Sequence, residues 1–468
     1  MEKRAKYRME KDSLGKLKIP AQAFYGIETQ RAKENFPISD IKLQWSFIKS
    51  YLIIKKAAAL ANKKLKKLDP QKAGAIIKAC SLLLEGKHHD QFIVGVFQAG
   101  AGTSQNMNMN ETIANLALTL MHKKKGEYAI IHPHDHVNLS QSTNDTFHAA
   151  MHITAYLEIQ NHLLPALQKL EKALGEKAVK FKEVIKSGRT HLRDAVPITL
   201  GQEFQAFANT IGENKNHIKK EAQALLSLNI GGTAIGTGIN ANKKYRNIVL
   251  KQINQATKCR FKPAKDMIEA TASLSTLLKT SSALKNLAID AIKIANDIRL
   301  LNSGPSAGIN EIILPELQPG SSIMPGKINP VVAEMLDMVG FQVVGNDTTI
   351  TLAAQAGQLE LNVMMPIVAY NLINSIEILG HAIDVFTEKC IRGIKANEKK
   401  CQEYLERNPI IITLLTPKIG YEKAAELTKK AYQKGTSIKS LLEKEKILSE
   451  KEINKLFNLK PFTKMKKE

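Results

Sequence analysis

Pro319-Gly320-Ser321-Ser322-Ile323-Met324-Pro325-Gly326-Lys327-Ile328-Asn329-Pro330 is the stretch whose reading organises the rest of the chain. Proline lacks a backbone donor and glycine is a poor helix former, so these residues mark a loop between two long helical segments. Its polar side chains are two adjacent hydroxyls, one ammonium and one amide. That set suits the holding of a small carboxylate and the transfer of a proton. A nucleotide phosphate loop is excluded, because Gly320 and Gly326 are one residue too far apart and Lys327 is followed by Ile328 instead of Ser or Thr.

Outward from this loop the chain reads as helix. From Val331 to Asn346 the only charges are Glu334 and Asp337, and a helix without a polar face is expected to be buried. Long periodic segments also run from Ala270 to Asn302, from Leu200 to Leu228 and from Val363 to Glu388. Another begins at Thr146, where most of Met151, Ile153, Leu157, Leu163, Leu164, Leu167, Leu170 and Leu174 fall on one side and Pro165 predicts a kink. Five such helices expose more apolar surface than the short loops of one chain can cover. A mainly all-α fold is expected, with a bundle buried partly against other copies of itself. The division expected along the chain is a helical N-terminal domain with a turn-rich start over 1–143, a central five-helix bundle carrying the loop over 144–399, and a small helical C-terminal domain over 400–468. Within the first, Tyr7 to Phe36 reads as irregular, Gln44 to Lys87 as helix with interruptions, and Gln91 to Glu111 as a loop leading into a helix to Lys123. Gly231 to Gly238 has the wrong spacing, and no preceding buried strand, for dinucleotide binding; it reads as a turn between helices.

Composition narrows the function. The formal net charge is +23, but aromatics make up only 5% and the lysines are scattered, with short runs at Lys63 to Lys67, Lys123 to Lys125 and Lys464 to Lys467. No nucleic-acid-binding motif is present, so a basic surface that attracts small dianions is expected instead of a nucleic-acid partner. Cys80, Cys259, Cys390 and Cys401 are far apart and form no CxxC pair, which points to a reducing compartment without disulfides or structural zinc. The first residues lack the apolar run of a secretory signal and no segment reads as a membrane span, so a cytoplasmic protein is expected. In His132-Pro133-His134-Asp135-His136 the proline and the tight spacing make a single-metal site awkward, and no metal is assigned.

Three further polar loops share the chemistry of the first. Gly100-Ala101-Gly102-Thr103-Ser104 offers hydroxyls and backbone amides. Asn138 to Asp145 gathers neutral polar groups before a long helix, whose N-terminus favours anions. Gly188-Arg189-Thr190-His191-Leu192-Arg193-Asp194 sets a histidine beside a hydroxyl. Singly, each also reads as a cap or a turn.

Together these segments, in this order, resemble the aspartase/fumarase superfamily. GTSQNMNMNE resembles its first characteristic segment, SQSTND and GRTHLRDAVPITLGQEF the second, and GSSIMPGKINP the third. The likeness extends through EKDSLGKLKIPAQAFYGIETQRAKENFPI and IGYEKAAELTKKA, and so covers nearly the whole chain. DQFIVGVFQAGAGTS, QSTND and GNDTTITLAAQAGQLELNVM resemble the branch that eliminates ammonia from L-aspartate. Members of the hydratase branch, which interconvert L-malate and fumarate, usually carry His-Phe and Asn-Gly-His-Phe-Glu-Leu at the corresponding places. Arg193, His148 and Met365 stand where the family usually has Gln, Pro and, often, Glu.

The resemblance implies a homotetramer with active sites shared between subunits and chemistry that needs no organic cofactor. It implies Ser321 as the base in its alkoxide form, with Lys327 and loop closure lowering its pKa. Thr103, Ser142, Thr143 and Ser322 would hold the carboxylate that becomes an enediolate. Lys327, Asn329 and Thr190 of another subunit would bind the other carboxylate. Asn144 and His191 would contact the amino group, with His191 oriented by Glu334. A buried, unpaired glutamate is unfavourable, which is a separate reason to expect a partner for Glu334.

Overall fold

The computed structural model describes residues 6–463; the first five residues and the basic run Lys464 to Lys467 lie outside the described residues. The chain is mainly helical. It opens with a hairpin of β1 (Tyr7–Asp12) and β2 (Gly15–Pro20), then α1 (Ile27–Asn35), α2 (Trp45–Lys64), α3 (Pro70–Leu84) and α4 (Thr103–Leu120). Next come α5 (Thr143–Glu158), α6 (Leu164–Lys180), a second hairpin of β3 (Ile185–Thr190) and β4 (Arg193–Thr199), and α7 (Leu200–Ala222). β5 (Ser227–Leu228), α8 (Tyr245–Thr257), β6 (Lys262–Pro263), the short α9 (Glu269–Ala272), α10 (Ser275–Leu301) and β7 (Ile312–Ile313) lead to the loop. Beyond it lie α11 (Val331–Gln355), α12 (Met365–Lys389), β8 (Lys395–Ala396) and five shorter helices, α13 (Glu398–Arg407), α14 (Thr416–Ile419), α15 (Tyr421–Lys434), α16 (Ile438–Lys444) and α17 (Glu450–Phe457). The described strands pair only two by two.

The five long helices read from apolar periodicity are α5 with α6, α7, α10, α11 and α12. Pro165 stands where the first of them changes character. The turn Ile159–Leu163 is widened, with the amide of Leu164 reaching back to the carbonyl of Ile159, immediately before the residue that cannot donate.

The residues divide into two compact units. Among the described residues, the first takes in 6–164, Asn216–Asn286 and Phe341–Leu379. Its core includes Phe47, Tyr51, Leu52 and Ile54 of α2, Ile76 of α3, Ile113 of α4 and Phe147 of α5, all buried. The Phe147 ring lies 4.8 Å from that of Phe47 and meets Tyr51 edge-on.

Two local readings change here. The stretch taken as irregular contains β1 and β2. Their alternation was hidden because Glu10, not an apolar residue, faces inward, accepting from Arg8 at 2.8 Å and from the Ile27 amide at 2.9 Å. The loop expected up to Glu111 is helix from Thr103 onward. Asparagine disfavours helix interiors because its side chain competes for backbone groups. In α4 those side chains reach neighbouring segments instead. Asn108 accepts from Ile93 and donates to the Gln91 carbonyl, and Asn115 donates to the Phe24 carbonyl and accepts from Gly126. Lack of charge marked burial, not a loop.

The second unit takes in, among the described residues, Pro165–Lys215, Leu287–Gly340 and 380–463. Leu427, Ile438, Leu441, Leu442 and Ile453 of α15 to α17 form an apolar cluster, and Ser449 and Glu452 close a capping box at the start of α17.

The expectation for α11 is met only in part. Ala333, Leu336, Val343 and Ile350 are buried, but Met338, Phe341 and Leu352 are 63%, 61% and 58% exposed in the single chain.

Candidate active site

In the second unit the loop before α11 is a closed structure. The Gly320 amide donates to the Lys327 carbonyl at 2.7 Å, and Asn329 Nδ2 donates to the Gly320 carbonyl at 2.7 Å, so the two ends of the loop are pinned together. A side chain at Gly320 would run into the Lys327 carbonyl and Asn329. Next to the pinned Gly320, Ser321 Oγ accepts from the amides of Ile323 and Met324, at 3.2 and 3.0 Å. Two donors on a hydroxyl oxygen favour its ionised form. Ser322 and Lys327 are exposed, as are Ile323 and Met324, at 83% and 48%.

Thr190 and His191 sit at the end of the β3–β4 hairpin. Thr190 pairs with Arg193, leaving His191 and Leu192 as a two-residue turn with φ of +53° and +56°. Such turns usually contain glycine or asparagine, and two non-glycine residues held there are backbone strain of the kind that gathers at functional sites. The hairpin is held at its base. Lys186 bonds to Glu203 and Glu311, Arg189 grips Glu311, and Asn408 donates to Ser187 and to the Ala195 carbonyl. Glu334 is half-buried in the first turn of α11. Its carboxylate lies 3.9 Å from Arg299, whose closer partner is Asp337 at 2.8 Å, so the deep burial inferred for Glu334 does not hold in the single chain.

In the first unit, Thr103 begins α4 and Ser142 caps α5. Ser142 Oγ accepts from the Asn144 amide at 3.2 Å, and Asp145 returns the bond to the Ser142 amide at 3.0 Å. Asp145 is wholly buried, and its other oxygen accepts from the amides of Gly231 and Thr233. Burial pushes its carboxyl up to about 6, against the pull of these amides and of Lys55. Asn144 Nδ2 donates to the Ala234 carbonyl at 2.7 Å, so the Gly231 to Gly238 turn is tied to the start of α5. Thr103, Ser142 and Thr143 line one cavity of about 520 Å³, with Asn106, Asn138, His134 and Asp135 on its wall.

The histidine run forms a self-capped turn. His132 Nδ1 accepts from the amides of His134 and Asp135, and the His132 amide donates to His136 Nδ1 at 2.7 Å. His134 pairs with Glu28 at 2.6 Å, and this bond raises its pKa.

Sequence reasoning did not single out Asp145, Asn106 or Lys55. A signal for Lys55 was present, since it follows Tyr51 and precedes Ala58 and Asn62 at helical spacing and so falls on the buried face of α2.

The chain matches the family described as Lyase over residues 15–345, and the one described as Fumarase C C-terminus over residues 411–464. It is 48% identical to an aspartate ammonia-lyase of Helicobacter pylori over 452 residues, covering 96% of each chain. It is 44% identical to a class II fumarate hydratase of Bacillus subtilis over 450 residues, covering 96% of this chain and 97% of the relative. Among solved structures, a fumarate lyase:delta crystallin from Brucella melitensis superposes with a TM-score of 0.94 at 42% identity, covering 98% of this chain and 100% of that one. A class II fumarase from Schistosoma mansoni superposes with a TM-score of 0.93 at 35% identity, covering 96% of this chain and 98% of that one. The polar loops held at helix starts and at a hairpin end, and the helical frame that carries them, are therefore those of the aspartase/fumarase superfamily of lyases, to which this chain belongs.

Proposed function

We propose that the protein catalyses the reversible removal of ammonia from L-aspartate to give fumarate. The observation that carries this reading is the Ser321 hydroxyl oxygen, which accepts two backbone amides beside the pinned end of the loop. Those amides, with the ammonium of Lys327 on the same loop, favour the alkoxide needed to remove a proton from the carbon next to a carboxylate. The electrons of that C–H bond pass into the adjacent carboxylate as an enediolate. They return to form the carbon–carbon double bond as the C–N bond breaks, and ammonia leaves with the bonding pair.

Thr103, Ser142, Thr143 and Ser322 hold the carboxylate that becomes the enediolate, where preorganised donors are worth most. Lys327, Asn329 and Thr190 hold the other carboxylate. Asn144 and His191 meet the amino group, and Glu334 orients His191. With its Nδ2 engaged at the Ala234 carbonyl, Asn144 keeps Oδ1 to accept from the amino group, whereas Asn329 spends one Nδ2 proton on the Gly320 carbonyl and keeps the second to donate to a carboxylate. The active unit is a tetramer in which neighbouring chains complete each site; the exposed Met338, Phe341 and Leu352 of α11 support an assembly that covers them. The hydratase reading has its own support in a 44% identical fumarate hydratase.

An absorbance assay for fumarate tests both. Fumarate from L-aspartate, absent in Ser321→Ala, is the expected result. Fumarate from L-malate alone would move the assignment to the hydratase, and turnover by Ser321→Ala at the wild-type rate would remove Ser321 as the base.

A further inference from the structure

From the cavity wall, where Asn106 and Asn138 stand beside Thr103, Ser142 and Thr143, a buried polar chain that the scheme above leaves unused runs inward. Lys55 of α2 is wholly buried, and its Nζ donates to Asn106 Oδ1 at 2.7 Å and to Asn138 Oδ1 at 2.9 Å. As an ammonium, lysine only donates, and both amides turn their oxygens toward it. Burial pulls its pKa down to about 7, and the neutral amine still has an N–H for each of these bonds. Tyr51 donates to the same Asn106 oxygen at 2.8 Å. With that oxygen held by two donors, Asn106 presents Nδ2 to Thr143, 2.9 Å from Oγ1. A hydroxyl carries one proton. Because Thr143 Oγ1 accepts from Asn106, its own proton is left to donate elsewhere, and Thr143 lines the cavity.

We infer that Lys55 and Asn106 are positioning residues that make Thr143 a hydrogen-bond donor toward a substrate carboxylate. The inference rests on the reading of Thr143 as a carboxylate-binding residue. It concerns direction as well as distance, since the same atoms with Asn106 flipped would draw the Thr143 proton inward.

Asn106→Asp tests it. The new carboxylate is isosteric and pairs with Lys55, so the fold is kept, but it can only accept from Thr143 and takes the proton away from the cavity. Hydrogen bonds to charged groups are strong enough that the expected effect is roughly a tenfold rise in KM for L-aspartate, with a matching rise in the dissociation constant of succinate. The change in kcat should be smaller and the melting temperature should not fall. A purely structural role predicts unchanged KM and succinate binding. Thr143→Val is measured beside it. If Thr143→Val weakens succinate binding and Asn106→Asp does not, the positioning role is wrong while Thr143 remains a ligand. If Thr143→Val leaves succinate binding unchanged, the assignment of Thr143 fails and the positioning role fails with it. Should Asn106→Asp not fold, Lys55→Met decides: weakened succinate binding supports the inference, and wild-type binding overturns it.

Discussion

Arg189 grips the fully buried carboxylate of Glu311 with two guanidinium nitrogens, each at 2.9 Å. Lys186, itself 1% exposed, meets the same carboxylate at 2.7 Å. This cluster holds the hairpin that carries Thr190 and the strained His191. Removing the anion leaves two buried cations without their central partner, with Glu203 and Asp194 as the remaining anions beside them, and breaking such a buried pair costs about 3–5 kcal/mol. Glu311→Ala should lower the urea midpoint accordingly; an unchanged midpoint would show that the cluster does not hold the hairpin.

His148 and His152 of α5 are both buried, with ring centroids 4.7 Å apart. Burial lowers their pKa values to about 4 and about 3, against about 6.5 in an unfolded chain. Because the folded state resists protonation, the stability they contribute is present above pH ~6.5 and is lost as the pH falls through the folded values. Between pH 7 and pH 5 the wild type should lose about 2 kcal/mol more than His148→Leu by denaturant unfolding. Asp145 and Glu111, whose carboxyls burial raises, act in the opposite sense in both proteins and drop out of the difference. Parallel stability curves would count against this account.

Gly102 has φ of +85° directly before α4, and a Cβ there would overlap the ring of Phe147. Left-handed strain and overpacking add, so Gly102→Ala should cost about 2–4 kcal/mol in thermal or denaturant unfolding. It should also displace Thr103, the next residue, and raise KM. A variant with wild-type stability would mean that the turn relaxes freely.

The exposed apolar side chains of α11 carry the assembly proposal. Met338→Asp combined with Phe341→Asp should lower the mass measured by light scattering and abolish turnover, while far-ultraviolet circular dichroism stays helical. An unchanged mass would place the interface elsewhere.

The long helices were legible because a 3.6-residue apolar period survives any tertiary context. The start of α4 was not, since its buried face includes Asn106, Asn108 and Asn115, which carry no hydropathy signal and bond to partners in other segments of the chain. β1 and β2 escaped for a similar reason, with a carboxylate facing inward. The polar loops stood out as runs of hydroxyls and amides, but Asp145, which ties two of the chain's loops together, looks in sequence like an ordinary cap.

By itself the sequence determined the helical frame, the family and the polar loops proposed to carry the chemistry, because periodicity and short polar runs are properties of neighbouring residues. Only the tertiary structure decided which way each polar group faces. It joined Lys55 to Asn106, Asp145 to Gly231 and Arg189 to Glu311, and it left Met338 and Phe341 uncovered in the single chain. Hydrogen-bond direction and burial depend on partners distant in sequence, and no local pattern contains them.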